Sequence, residues 1–190
     1  MSSKLPSDSQ SATLAVRSGL DTDTQHGAVV APIYLSSTYT FEGFGKRRAY
    51  DYSRSANPTR DALAEALTAL EQGTGTVITS SGMAAVNLVC QLLKPEDLLV
   101  APHDCYGGTY RLFDSLHQRG VLKTQFVDFS DPHAVTKALQ RRPKLVWVET
   151  PSNPLLRITD IRSVAQQAHD VGALLAVDNT FMSPAWQQPI

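Results

Sequence analysis

Two short apolar runs, Leu145-Val146-Trp147-Val148-Glu149 and Leu174-Leu175-Ala176-Val177-Asp178, each end on an acid. Runs this short and this apolar on both faces belong to strands buried in a parallel sheet, with helices above and below. The tip of such a strand is where open α/β sheets bind their ligands. Asp178 therefore reads as a carboxylate placed to hold a positive charge, although an Asp at a strand end also serves to cap the next turn.

The same alternation runs through most of the chain. Strands are expected at 76–79, 98–101, 124–129, 145–149 and 173–178, with helices between them. The clearest helix covers 160–171, where Ile161, Val164, Ala165 and Ala168 make one face and Gly172 ends it. Another begins at Pro58, carries Leu63, Ala66, Leu67 and Leu70 at helical spacing, and stops at Gly73. Residues 1–57 carry little periodicity and many turn formers, and read as an extended arm whose first ten residues form a disordered tip. The expected class is α/β, a mostly parallel sheet with flanking helices behind an extended N-terminal arm.

Composition narrows the partners. Lys and Arg total 17 against 18 Asp and Glu, a formal charge of -1, which argues against nucleic acid because phosphate neutralisation needs a basic surface. No apolar run is long enough to span a bilayer, and the start lacks the apolar core of a signal peptide. Cys90 and Cys105 make no disulfide framework, which points to a reducing cytoplasm. His103-Asp104-Cys105 lacks zinc spacing, so no metal site is expected. Gly73-Thr74-Gly75 precedes its strand, and Ile78 stands where a dinucleotide fingerprint would need its third glycine.

What remains is a set of polar and aromatic residues after strands. The turn Thr79-Ser80-Ser81-Gly82-Met83 leads into a helix whose N-terminal N–H groups would attract an anion, and a Ser-rich N-cap with a glycine turn explains the same residues without a ligand. Tyr52 and Arg54 project to one side of an extended segment and could clamp a phosphate, or belong to a solvated polar stretch. Tyr106, followed by Gly107-Gly108, could lie flat on a planar ligand or cap the core. Asn153, between two prolines, could be a ligand contact or a turn residue. Together with Asp178 they describe a socket for a flat, phosphorylated, protonatable ring.

That socket resembles the pyridoxal-phosphate enzymes of the transsulfuration family. Tyr52-Ser53-Arg54 with Asn57-Pro58-Thr59, Ser81-Gly82-Met83, Tyr106-Gly107-Gly108-Thr109, Glu149-Thr150-Pro151-Ser152-Asn153-Pro154 and Val177-Asp178-Asn179-Thr180 stand in the family's order. The resemblance runs from about Thr13 to the last residue. It implies a partial aspartate-aminotransferase-like (fold type I) large domain over 58–190, with the arm of 1–57 contacting a neighbouring subunit. The implied cofactor is pyridoxal 5'-phosphate: Asp178 would pair with the ring nitrogen, Thr180 would support Asp178, Tyr106 would stack on the ring and assist proton transfer, and Asn153 would bond near the phenolic oxygen. Backbone amides of Gly82 and Met83 would hold the phosphate, with Tyr52 and Arg54 reaching it from a second subunit.

Within the family, Val100-Ala101-Pro102-His103-Asp104-Cys105-Tyr106 and Tyr110-Arg111-Leu112-Phe113-Asp114-Ser115-Leu116 are most similar to the bacterial branch that replaces the γ-substituent of an O-acylhomoserine with the sulfur of cysteine, giving cystathionine for methionine biosynthesis. The resemblance thus implies small-molecule amino-acid substrates and a homo-oligomer, a dimer of dimers. Elimination at the γ-carbon and direct sulfhydrylation share the whole socket. Ser55 and Ala56 stand where some relatives have Arg and Gly, which leaves the donor's distal carboxylate, succinyl or acetyl, without an assigned partner. The family's Schiff-base lysine follows the Asp-Asn-Thr strand in a Ser-x-Thr-Lys setting. Lys4, Lys46, Lys94, Lys123, Lys137 and Lys144 all precede Asp178, so this chain by itself is expected to be an inactive, aggregation-prone fragment or a subunit-interaction module.

Overall fold

The computed structural model describes residues 9–20 and 23–190. Most of the expected disordered tip, with Lys4, lies outside the described residues. The chain divides into two compact units, one drawn from the sequence up to Ile78 together with Ile190, the other from Thr79–Pro189.

In the first unit, α1 (Ser11–Arg17) packs on α2 (Pro58–Glu71). The turn out of α1 approaches α2 so closely that a Cβ on Gly19 would lie 2.3 Å from the Ala62 carbonyl oxygen, and φ there is +74°, so both space and backbone select glycine. Within the expected extended arm, residues 11–17 depart from the expectation, because α1 is a helix. Its seven residues are too few to display a helical period, and a helix so short is stabilised by docking rather than by propensity. Asn57 caps α2 by accepting the Thr59 N–H at 2.9 Å, and Pro58 occupies the first turn. The helix ends through Gln72 in the left-handed region, φ 55°, rather than at Gly73 as expected. No strand forms over 76–79: the segment joins no ladder among the described residues, and Val77 is 74% exposed.

The second unit is a four-stranded parallel sheet in the order β2-β1-β3-β4, with β1 (Leu98–Pro102), β2 (Lys123–Val127), β3 (Leu145–Glu149) and β4 (Leu174–Asp178). Helices α3 (Gly82–Cys90), α4 (Gly107–Gln118), α5 (Pro132–Leu139), α6 (Ile161–Asp170) and a short α7 (Ser183–Trp186) complete it. The period-2 alternation of the strands feeds two cores. Val100, Val146 and Val148 pack with Val135 and Leu139 of α5 and Val164 and Ala168 of α6. Leu99, Ala101, Leu145 and Trp147 pack with Val86 of α3 and Phe113 and Leu116 of α4. Each fully buried aliphatic residue contributes about 1.5–3 kcal/mol of transfer free energy, so the central pair β1 and β3, buried along their whole length, anchors everything at their tips.

The expected strands at 98–101, 145–149 and 173–178 appear within one residue at each end. β2 stops at Val127, short of Phe129, because the Asp128 carboxylate accepts the Ser130 N–H at 2.8 Å and turns the chain. α6 stops before Gly172 as expected, with φ +78° there, while Asp160, expected inside the helix, caps it by accepting the Ser163 N–H at 3.1 Å. Among the described residues no helix is long and apolar enough to cross a membrane.

Candidate functional site

Parallel pairing of β3 with β4 sets Glu149 directly beside Asp178. The same alternation that buries Leu145 and Trp147 against α3 and α4 turns Glu149, and with it Asp178, toward that face of the sheet. A cavity of about 560 Å³ opens there, lined by the start of α3, by Tyr106 and Thr109, by Trp147, Glu149 and Asn153, and by the segment from Ala176 to Phe181. Among the described residues no lysine lines it.

Asp178 spends one oxygen internally. Its Oδ1 accepts the Thr180 N–H at 3.0 Å and also the Thr180 hydroxyl, which fixes the carboxylate plane; Oδ2 takes no partner among the described residues. The next residue, Asn179, is committed elsewhere: its Nδ2 donates to the Gln187 carbonyl at 2.8 Å, and Gln187 Nε2 donates to Asn179 Oδ1 at 2.9 Å and to the Thr150 carbonyl at 3.1 Å. The loop after β4 is thereby tied to the loop after β3.

Glu149 behaves differently. It is 5% exposed, its Oε2 accepts the Tyr106 N–H at 2.8 Å, and its Oε1 accepts the Asn153 N–H at 2.9 Å. Burial pushes its pKa up from the ordinary value, the two N–H groups pull it down, and the neighbouring charges of Asp178 and Asp104 push it up again. A second tie runs parallel to this one: the Ser152 hydroxyl donates to Asp104 at 2.7 Å, and Arg157 bridges Asp104 at 3.8 Å and Asp128 at 3.5 Å. Burial beside these acids also pushes the Cys105 thiol up to about 12, so it stays protonated.

On the same cavity, Ser81 caps α3 through the Ala84 N–H at 3.2 Å. Gly82 and Met83 follow in the first turn, where N–H groups lack intrahelical acceptors. Tyr106, 46% exposed, precedes α4, and its ring folds back over Gly108 beside the Met83 sulfur; a Cβ on Gly108 would lie 2.5 Å from the ring and 3.0 Å from that sulfur. Two lining groups are buried without a hydrogen-bond partner among the described residues, Thr109 Oγ1 and Trp147 Nε1. Orphaned polar atoms on a cavity wall mark a place where a polar ligand or water completes the bonding.

Of the residues expected from sequence, Gly82, Met83, Tyr106, Asn153, Asp178 and Thr180 line this one cavity. Tyr52 and Arg54 belong to the first unit, where the Arg54 guanidinium lies 5.0 Å from the centre of the Tyr52 ring. Their loop is held by Asn57, which donates to the Tyr34 carbonyl and the Ser53 hydroxyl at 3.2 and 3.0 Å, and by Arg60, which donates to the Ser53 carbonyl at 3.2 Å. Sequence reasoning assigned no role to Glu149, Thr109 or Trp147. For Glu149 the signal was present in the two acid-terminated strands; for the other two nothing local marks them.

Residues 12–190 match the family of Cys/Met metabolism PLP-dependent enzymes. The chain is 59% identical over 180 residues to cystathionine gamma-synthase of Escherichia coli K12, covering 94% of this chain and 47% of that protein. It is 44% identical to cystathionine gamma-lyase of Bacillus subtilis, again covering 94% of this chain and 47% of the relative. The crystal structure of cystathionine gamma synthase from Xanthomonas oryzae pv. oryzae in complex with aminoacrylate and cysteine superposes with a TM-score of 0.93 at 56% identity, covering 97% of this chain and 48% of that one. The chain spans about half the length of the relatives it matches. It belongs to the Cys/Met metabolism PLP-dependent enzymes.

Proposed function

We propose that the protein encoded with this chain replaces the γ-acyloxy group of an O-acylhomoserine, O-succinylhomoserine first, with the sulfur of cysteine, releasing the free carboxylic acid and giving cystathionine in methionine biosynthesis. The single observation that carries the reading is the cavity at the sheet's carboxyl end, where one open carboxylate oxygen on Asp178 shares a wall with the N-terminus of α3. Pyridoxal 5'-phosphate is the family's cofactor, and the residues present fit it: a carboxylate for a ring nitrogen, helix N–H groups for a phosphate, an aromatic ring, and the unpartnered Thr109 and Trp147 groups on the same wall. When bound, the cofactor supplies an electron sink for negative charge at substrate carbons.

The chain's own residues would do the rest. Asp178 would hold a proton on the ring nitrogen, its orientation fixed by Thr180. The N–H groups of Gly82 and Met83, at the positive end of the α3 dipole, would hold the phosphate. Tyr106 would cover the ring face and pass a proton, and Asn153 would bond near the phenolic oxygen. Tyr52 and Arg54 would reach the phosphate from a neighbouring subunit, with residues 1–57 as the contacting arm and 58–190 as the cofactor-binding domain in a dimer of dimers located in the cytoplasm. Gamma-elimination is the second reading, favoured by the 44% identity to a gamma-lyase.

The test is a product assay on the protein expressed from its own gene, given O-succinylhomoserine and cysteine. Cystathionine formation exceeding 2-oxobutyrate formation is expected. Release of 2-oxobutyrate from cystathionine as the dominant reaction would replace synthesis with elimination.

A further inference from the structure

The carboxylate at the tip of β3 is nearly sealed from solvent, yet it bonds no side chain among the described residues. Both of its oxygens accept backbone N–H groups, and those groups come from the two loops that carry the ring-facing residues: Tyr106, just after β1, and Asn153, just after β3. Two charge-assisted bonds from one rigid strand fix two loops at a common point. The strand is firmly held, because Val146 and Val148 are 0% exposed, Val146 pairs with both β1 and β4, and Val148 pairs with β4.

We propose that Glu149 is a positioning residue for the cofactor, setting the Tyr106 ring and the Asn153 amide at their working positions through the main chain. The inference rests on the cofactor reading above. It explains why an acid is kept at a buried site beside Asp178, where like charge and desolvation both work against it. An amide cannot substitute. Glutamine offers one acceptor and one NH₂ donor, so either the Tyr106 or the Asn153 N–H would face another donor and lose its partner. Aspartate keeps both acceptors on a side chain one methylene shorter. The Ser152–Asp104 bond at 2.7 Å ties the same two loops without touching Glu149, so the loops stay near each other when Glu149 is changed and only their register is released.

The experiment compares Glu149→Gln and Glu149→Asp with the unaltered protein expressed from its own gene. It reads amide hydrogen exchange in the cofactor-free protein and pyridoxal 5'-phosphate affinity by absorbance titration. For Glu149→Gln the inference predicts faster exchange at the Tyr106 or Asn153 amide, unchanged protection at Val100 and Val146, and cofactor binding about tenfold to a hundredfold weaker, the scale of one charge-assisted hydrogen bond. Glu149→Asp should recover part of both. Uniform loss of protection in Glu149→Gln would make Glu149 a fold-stabilising residue and overturn the inference, as would unchanged protection at both amides with unchanged affinity. Failure of the unaltered protein to bind the cofactor would overturn the functional reading itself, while the exchange pattern would still report whether Glu149 sets the two loops.

Discussion

The tips of β3 and β4 are neighbours in register, both end in a carboxylate, and they treat that carboxylate in opposite ways. Glu149 is almost fully buried with both oxygens committed to N–H groups of the chain, whereas Asp178 is only partly buried and commits one oxygen to Thr180. A buried acid whose acceptors are all used inside the protein can organise its surroundings but has little left for a ligand. An acid held rigid by one oxygen and open at the other is arranged to bind. The contrast teaches that satisfaction of hydrogen bonds, more than charge or burial, is what would separate a carboxylate that positions, as proposed for Glu149, from one that contacts, as proposed for Asp178.

The comparison is most exposed to failure at Asp178. Asp178→Asn keeps shape and the Thr180 bond but removes the charge, and kcat/KM is expected to fall by about 10²–10³-fold, the size of losing one preorganised electrostatic partner; steady-state assay of cystathionine formation checks it. A smaller effect is expected from Thr180→Val. The backbone N–H still reaches Asp178 while the hydroxyl bond is lost, and activity should drop by about fivefold, in line with about 1 kcal/mol for one hydrogen bond; an effect as large as that of Asp178→Asn would mean that Thr180 has its own chemical task.

Glu149 should reveal itself through pH. Its pKa in the folded chain lies above the ordinary glutamate value of 4.5, so in the window between the two values the native state holds the extra proton. Stability contributed by this group therefore falls as pH rises through that window. Glu149→Gln should flatten this part of the curve, read by urea unfolding at several pH values above 4.5; an unchanged slope would show that Glu149 titrates as a solvated acid. The smallest effect belongs to Ser152→Ala, which removes the second tie to Asp104. A loss of about 0.5–1.5 kcal/mol in unfolding free energy is expected, with cofactor affinity unchanged as measured by titration.

β1 and β3 were legible because burial on both faces leaves a continuous apolar run that a covered parallel sheet accepts; β4 kept the apolar run although it lies at the sheet's edge and is only partly buried, and the site residues were legible because they follow such runs. The segment over 76–79 shows the limit of that logic: four residues of strand-like composition make a strand only when a neighbour supplies the ladder, and none does so here among the described residues. Helix α1 escaped notice for the converse reason, since its partner α2 lies some forty residues along the chain. Glu149 was visible as a polar tip, but its purpose depends on an N–H from Tyr106, 43 residues away, and on one from Asn153 four residues on. Trp147 reads as a core residue from its strand, and only the fold reveals that its N–H is buried on a cavity wall without a partner.

The open oxygen of Asp178 is the point at which the proposed site would meet its cofactor. The direct measurement is the nitrogen-15 chemical shift of ring-labelled pyridoxal 5'-phosphate bound to the protein expressed from its own gene, with Asp178→Asn alongside. A protonated ring nitrogen in the unaltered protein and an unprotonated one in the variant is the predicted result. An unprotonated nitrogen in the unaltered protein, or the same protonated state in both, would contradict it.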